Sequence, residues 1–396
     1  MNPERRRLSG LARLAWFAAV FAFCVVIFGA FVRLSDAGLS CPDWPTCYGQ
    51  ATWPQLPHQV ALADATFPQR PFEAHKAWRE QVHRMIAGTL GVLVLALALL
   101  ATWSRPKARW SVIGAALAAA VGTALYIGGE RVLSTILGVL AIMVPLVVAA
   151  RLTRTGPWRV AVLALGLIIF QAMLGMWTVT LLLKPVVVTG HLLGGMATFA
   201  LIAWVALRFT PLGADDDRHA RLRRFVVLGI VLLACQIFLG GWTSTNYAAL
   251  ACGVGDSAFP QCLGQWWPAA DYHQGFIIWR GIGVNFEGGV LDAPARTAIQ
   301  MVHRIGAAVV FVYLGWLAWR VARAGLRGFA LGILLALLAQ VALGVSNVHF
   351  GLPLPVATAH NGMAALLLFS LLAALARMQP RLPVPTFRDD RPVQTG

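Results

Sequence analysis

The chain has 396 residues, a formal charge of +16, and 58% hydrophobic against only 12% charged residues. A soluble domain of this length needs about twice that share of charge to cover its surface, which excludes a soluble fold. The surplus of Arg and Lys does not describe a nucleic-acid-binding face either, because these residues cluster in short loops between apolar blocks, as they do beside membrane helices.

An apolar run of about 20 residues crosses a bilayer as a helix, since backbone groups in lipid must be satisfied within the element. In chain order, ten spans are predicted: 14–32, 83–103, 110–128, 132–150, 159–180, 190–208, 224–243, 299–320, 327–345 and 356–377. The fold class read from this pattern is an all-α polytopic membrane protein. The first span follows Arg5, Arg6, Arg7 and Arg13, and no small-residue cleavage site comes after it. It is therefore expected to remain as a span rather than to leave as a signal peptide. Arg105, Lys107 and Arg109, then Arg151 and Arg154, Arg208 to Arg224, Arg320 to Arg327, and the tail from Arg377 all fall on one side. That bias places both termini in the cytoplasm and the two long loops, 33–82 and 244–298, outside. Asp215, Asp216 and Asp217 read as the solvated surface of an inside loop.

The outer loops hold two cysteine pairs, Cys41 with Cys47 (CPDWPTC) and Cys252 with Cys262 (CGVGDSAFPQC). An oxidising compartment favours a disulfide in each, and the spacings fit a zinc site poorly. Cys24 and Cys235 fall inside spans and are expected in the core.

The chain also repeats itself. GAFVRLSDAGLSC, VHRMIAG, QAMLGMWT and GHLLGGMA in the first half are followed in the same order by GGWTSTNYAALAC, VHRIGAA, QVALGVSN and AHNGMAA. The interval from His83 to His191 exceeds that from His303 to His360 by about the length of one two-span hairpin. The predicted organisation is thus a bundle over 1–208 with an inserted hairpin at 104–155, a linker at 209–223, a second four-helix bundle over 224–377, and a polar tail at 378–396.

His83, His191, His303 and His360 occupy matched places, each near the start of a span. An ionisable group at membrane depth needs a partner or a task. Two imidazoles facing across a four-helix bundle are the usual axial ligands of a heme iron. Gly88, Gly91, Gly190, Gly194, Gly195 and Gly362 would leave room for a flat macrocycle, although helix packing alone also favours them. A transmembrane electron wire would need two His on one helix about 13 residues, or roughly 20 Å, apart. No span has that spacing, so both hemes would lie at one level, as suits a substrate site beside a cofactor site. Glu80 precedes His83 by three residues and shares its face if the helix begins early; it can relay protons or stabilise positive charge. Gln300 takes its place in the second half. Arg84 and Arg304 follow the two histidines, as partners for heme propionates or as headgroup anchors. His58, His75, His219, His273 and His349 are left unassigned, and Trp44, Trp53, Trp78, Trp266, Trp267 and Trp279 suit an aromatic belt or loop packing.

The stretches VRLSDAGLSCPDWPTC, EQVHRMIAGTLG, QAMLGMWTVTLLLKPVVVTGHLLGG, QMVHRIGA and TAHNGMAALL together resemble the heme A synthase family, membrane enzymes of cytochrome oxidase assembly. That family has eight spans in two related bundles, so the inserted hairpin is a departure that leaves every motif intact. The resemblance implies oxidation of the C8 methyl of heme O to the formyl group of heme A by two successive hydroxylations and loss of water. It implies that His303 and His360 hold a heme b cofactor, that His83 and His191 border or ligate the substrate heme, and that Glu80 is the catalytic carboxylate. Cys41 and Cys47 would act structurally or in redox handling, and Cys252 and Cys262 would brace the second loop. The implied partners are heme O, membrane lipid and an electron donor that the residues do not identify. Association with heme O synthase, or of the chain with itself, stays open, as do the source of oxygen and the timing of disulfide formation. The setting this suggests is a bacterial cytoplasmic membrane, there being no Arg/Ser-rich transit segment. Two competing readings are a diheme b-type electron carrier linked to quinol and a heme transporter or chaperone. A heme O synthase is disfavoured, since no span carries Asp-rich Mg²⁺ motifs.

Overall fold

In a computed structural model that describes residues 3–152, 157–210 and 219–379, the protein is built from α-helices and loops. Ten helices are long and apolar enough to cross a membrane: α1 (Pro3–Leu34), α3 (Ala74–Thr102), α4 (Pro106–Ile127), α5 (Arg131–Arg151), α6 (Pro157–Thr180), α7 (Pro185–Phe209), α8 (Ala220–Thr245), α10 (Ala293–Arg323), α11 (Arg327–His349) and α12 (Leu354–Arg377). This is a multi-pass membrane protein. Two short helices, α2 (Pro57–Thr66) and α9 (Tyr272–Gly275), lie in the long loops. Asp215 to Asp217, Arg154 and the tail beyond residue 379 lie outside the described residues.

Each predicted span corresponds to one of these helices, but six of them start four or more residues earlier than hydropathy indicates, α1 at Pro3 rather than 14 and α4 at Pro106 rather than 110 among them. α3 begins at Ala74 rather than 83, α10 at Ala293 rather than 299, α7 at Pro185 rather than 190, and α8 at Ala220 rather than 224. The extra turns of α3 and α10 are polar (AHKAWREQ and APARTAIQ) and carry the helix past the apolar band. Hydropathy reports the solvent around a helix, not where its hydrogen bonding begins. Local signals do mark the ends: Pro294 sits in the first turn of α10, and the Asp292 side chain caps it by accepting from Ala295 N at 3.0 Å.

Helices α1, α3, α6 and α7 pack in a ring, and α8, α10, α11 and α12 form a second ring in the matching order. The rings meet where α1 lies against α12 and α7 lies against α8 and α12. Small residues bring them together: a Cβ on Gly241 of α8 would stand 3.0 Å from Leu192, and one on Gly362 of α12 would stand 3.1 Å from Ile27. The inserted α4 and α5 stay outside the first ring, against α3 and α6. Their packing also runs through glycines, with Gly122 against Leu137 and Gly166 against the carbonyl of Ile142.

One end of the molecule carries the two long loops. Trp16, midway along α1, donates to Thr210 after α7, and Arg223 at the start of α8 donates to Met378 after α12, so both ends of the described chain lie opposite those loops. The continuous buried core occupies that opposite half. Its buried members in these four helices begin at Leu90, Met196, Val310 and Ala364, each one to two turns beyond one of the four histidines. Cys24 and Cys235 do not belong to it: both are exposed on the outer surface of their helices, against expectation. The reason is angular. Each lies five residues before a glycine that faces a histidine, hence about 140° around the helix from that face.

Candidate functional site

The four matched histidines sit above the core on the long-loop side, about two to three turns into α3 and α10 and under two turns into α7 and α12. His83 and His191 come near enough to interact electrostatically, as do His303 and His360. The rings thus bring together the two pairs that the repeat predicts. Among the described residues no three His, Cys, Asp or Glu side chains converge in a way that could hold a metal ion.

Each imidazole is backed by a glycine on a neighbouring helix. A Cβ built on Gly29 of α1 would lie 2.8 Å from Cε1 of His83, and one on Gly175 of α6 would lie 3.4 Å from that of His191. In the second ring Gly240 of α8 backs His303 at 3.3 Å, and Gly344 of α11 backs His360 at 3.1 Å. These are not the glycines singled out from sequence. Gly88, Gly91 and Gly190 have nothing within 4 Å of an added Cβ, and Gly194, Gly195 and Gly362 face Gln171, Val26 and Ile27.

Glu80 shares the first turns of α3 with His83, as an early helix start requires, and is buried. Its Oε2 accepts from Ser40 Oγ and from Cys41 N, each at 2.9 Å, and its Oε1 pairs with Arg84. Donors on both oxygens are the pattern of a carboxylate held in place. Ser40 escaped the sequence reading. Its signal was the repeat: the corresponding residue is Ala251, just as Gln300 corresponds to Glu80.

Both cysteine pairs are disulfides, Cys41–Cys47 and Cys252–Cys262. The loops they close match in detail. In each, the second cysteine pairs by an isolated antiparallel bridge with the residue three further on, Cys47 with Gln50 and Cys262 with Gln265. The arginine after each α3 or α10 histidine then grips the loop. Arg84 Nη1 donates to the carbonyls of Asp43 and Thr46, each at 2.7 Å, and Arg304 Nη1 donates to Gln261 O at 2.9 Å. Thr46 and Gln261 both immediately precede the second cysteine. The other terminal nitrogen of Arg304, Nη2, is buried without a partner. Tyr48 donates its hydroxyl to Arg70 O at 3.1 Å, and burial pushes its pKa up to about 12, so it remains a donor.

Part of the second long loop crosses to the first ring. Phe286 is buried among Leu39, Val179 and Leu183, and its N–H donates to Leu182 O at 3.1 Å. Lys184, itself buried, donates to Gly281 O at 2.8 Å and lies 3.6 Å from the centre of the Trp279 ring. Of the remaining histidines, His349 lies 3.6 Å from Asp256 and His219 Nε2 lies 3.5 Å from Ala324 O.

A sequence family described as "cytochrome oxidase assembly protein" matches residues 12–129 and 125–372. The chain belongs to that family. It is 37% identical over 366 residues to a heme A synthase of Shewanella oneidensis, which covers 91% of this chain and 95% of the relative. It is also similar to the heme A synthase of Rhizorhabdus wittichii, at 25% identity over 93% of this chain and 94% of the relative. That of a Bradyrhizobium species is 27% identical, over 93% and 91%. The four paired histidines, the buried Glu80 and the two disulfide loops all lie within the matched residues.

Proposed function

We propose that the chain is a membrane oxidoreductase that converts heme O to heme A, with the first ring as the substrate site and the second holding a resident heme b. The observation that carries this is the asymmetry of an otherwise matched pair: Ser40 and Glu80 beside His83, against Ala251 and Gln300 beside His303. A pure electron carrier has no need of a carboxylate in one half only, and a transporter that hands heme on has none either.

The residues fit the groups. The core stops short of the histidines, glycines let each imidazole lie against the neighbouring helix, and buried polar atoms await partners at Nδ1 of His83, Nδ1 of His191 and Nη2 of Arg304. His303 and His360 are assigned as ligands of heme b, which supplies one-electron redox chemistry when bound. His83 and His191 hold the substrate porphyrin beside Glu80. Arg304, with its unpartnered Nη2, is the better placed propionate partner, because Arg84 commits its donors to the Cys41–Cys47 loop and to Glu80. Oxidation of the substrate methyl passes through an alcohol and a geminal diol, which loses water to leave the formyl group. Glu80, fixed by Ser40, Cys41 N–H and Arg84, stabilises positive charge and takes up protons released at the methyl carbon. Each hydroxylation replaces a C–H bond by a C–O bond. With water as the oxygen source it releases two electrons and two protons to an acceptor outside this chain, and with dioxygen it takes two electrons and two protons from a donor and leaves one water. The arginine-rich helix ends and the disulfides together support a bacterial cytoplasmic membrane with both termini inside.

The test is extraction and chromatography of hemes from the purified protein, expressed with and without a source of heme O. Heme B alone without that source, and heme A once heme O is supplied, is the expected result. Heme B as the sole pigment under both conditions, in intact protein, would favour the electron carrier.

A further inference from the structure

Leu39 stands just before Ser40 and Cys41, the residues that hold Oε2 of Glu80. The matched turn of the second half closes on itself: Gly253 N–H donates to Leu250 O at 2.9 Å. In the first half the residue at the place of Gly253 is Pro42, which has no N–H, so Leu39 O cannot be satisfied in that way. Its donor comes from elsewhere. Arg70, shortly before α3, gives Nη1 to Leu39 O at 2.8 Å. The same Nη1 lies 3.6 Å from Oε2 of Glu287, a residue of the second long loop. Phe286 anchors that loop by burying itself against the Leu39 side chain, and this sets the next residue, Glu287, beside Arg70. Leu39 is thus held at its backbone by Arg70 and at its side chain by Phe286. The segment is tied at its other end too. Arg33, in the last turn of α1, donates Nη2 to Ser244 O of α8 at 3.0 Å and stacks over the Tyr247 ring at 4.6 Å.

We infer that Arg70 is a positioning residue for Glu80 and that Glu287 orients Arg70, so that the second half of the chain aligns the carboxylate of the first. This rests on the role given to Glu80 above. A donor fixes a carboxylate only as well as it is fixed itself. Cys41 N–H belongs to a turn that Pro42 deprives of its own closing bond, and Arg70 supplies the missing donor from outside it. Without that donor the turn can carry Cys41 N–H away from Oε2, and small misplacements of a reacting group are costly in rate. The second half has no carboxylate at Gln300, and its turn needs no such support.

The test uses the full-length protein, purified in detergent with its resident heme. Hydrogen–deuterium exchange at residues 37–41, read by mass spectrometry, is expected to quicken about tenfold in R70M, which loses a charged donor. In E287Q, which loses only a partly exposed ion pair, it should quicken about threefold. Exchange equal to that of the wild type would overturn the role of Arg70 in the first variant and that of the second loop in the other. Turnover is an independent arm. R70M should lower kcat for heme A formation about tenfold, leave KM for heme O unchanged, and cost nothing further in an E80A background. A further loss in that background would make Arg70 a general support and overturn its action through Glu80. E287Q, at a partly exposed side chain, keeps both arms readable if R70M does not fold. The exchange arm needs no chemistry. Quickened exchange in a chain that makes no heme A would therefore sink the synthase reading alone, and unchanged exchange in a chain that makes heme A would sink this inference alone.

Discussion

Ser40 donates to Glu80 over 2.9 Å, and in the second half of the repeat this pair becomes Ala251 and Gln300. The duplicated scaffold has kept its imidazoles and disulfide loops in both copies and a buried carboxylate in one. Replacing Glu80 by Ala is therefore expected to spare heme binding and to lower heme A formation by about a hundredfold or more, the usual worth of an acid–base group. S40A, which removes one of several donors, should cost about tenfold. Rates by chromatography beside optical spectra of bound heme check both, and an E80A protein that turned over normally would exclude Glu80 from the chemistry.

The glycines behind the histidines make a graded prediction. In the first ring, G29A places a methyl 2.8 Å from His83 and must displace the ring, while G175A makes an ordinary contact at 3.4 Å with His191. Substrate binding should fail in G29A and survive in G175A. Titration of heme O into the two variants measures this, and equal affinities would show that Gly29 does not seat the imidazole.

Removing the two disulfides should have different effects. C41S/C47S loosens the loop whose Ser40 and Cys41 hold Glu80, so turnover should fall while the resident heme stays. C252S/C262S loosens the loop gripped by Arg304, so the protein should lose heme b on gel filtration before its turnover per bound heme changes. Identical phenotypes would mean the loops serve only general stability.

Lys184→Met leaves Gly281 O without its donor and abolishes the contact with Trp279. A buried charged donor of this kind is worth about 1.5–3 kcal/mol, so the thermal midpoint in detergent should drop by several degrees. A midpoint equal to that of the wild type would show that the loop is held by Phe286 alone.

The spans were legible because lipid leaves a helix no alternative, and the histidines because a repeat marks positions that hydropathy alone cannot rank. What hid from the sequence was direction. Gly88 and Gly190 stand close to the histidines along the chain yet meet nothing, whereas Gly29 and Gly240, on other helices, touch the imidazoles. QAMLG and QVALG were visible in the sequence, but that their glycines, Gly175 and Gly344, back His191 and His360 emerges only when the facing helix is known. Cys24 and Cys235 failed for the same reason, since a position inside a span does not say which way a side chain turns. Arg84 looked free for a propionate because its carbonyl partners, Asp43 and Thr46, lie some forty residues away.

Phe286 closes over Leu39, Val179 and Leu183, yet it is encoded after α8. A chain inserted from its N-terminus therefore delivers the first seven helices to the bilayer with this apolar patch still open. The order of synthesis and the order of completion run opposite ways: the half that is made first is sealed last. Truncation between the halves would consequently yield an N-terminal piece with an uncovered rim, and rebuilding the protein from two separate fragments requires the second to supply residues 276–290 as well as its own ring.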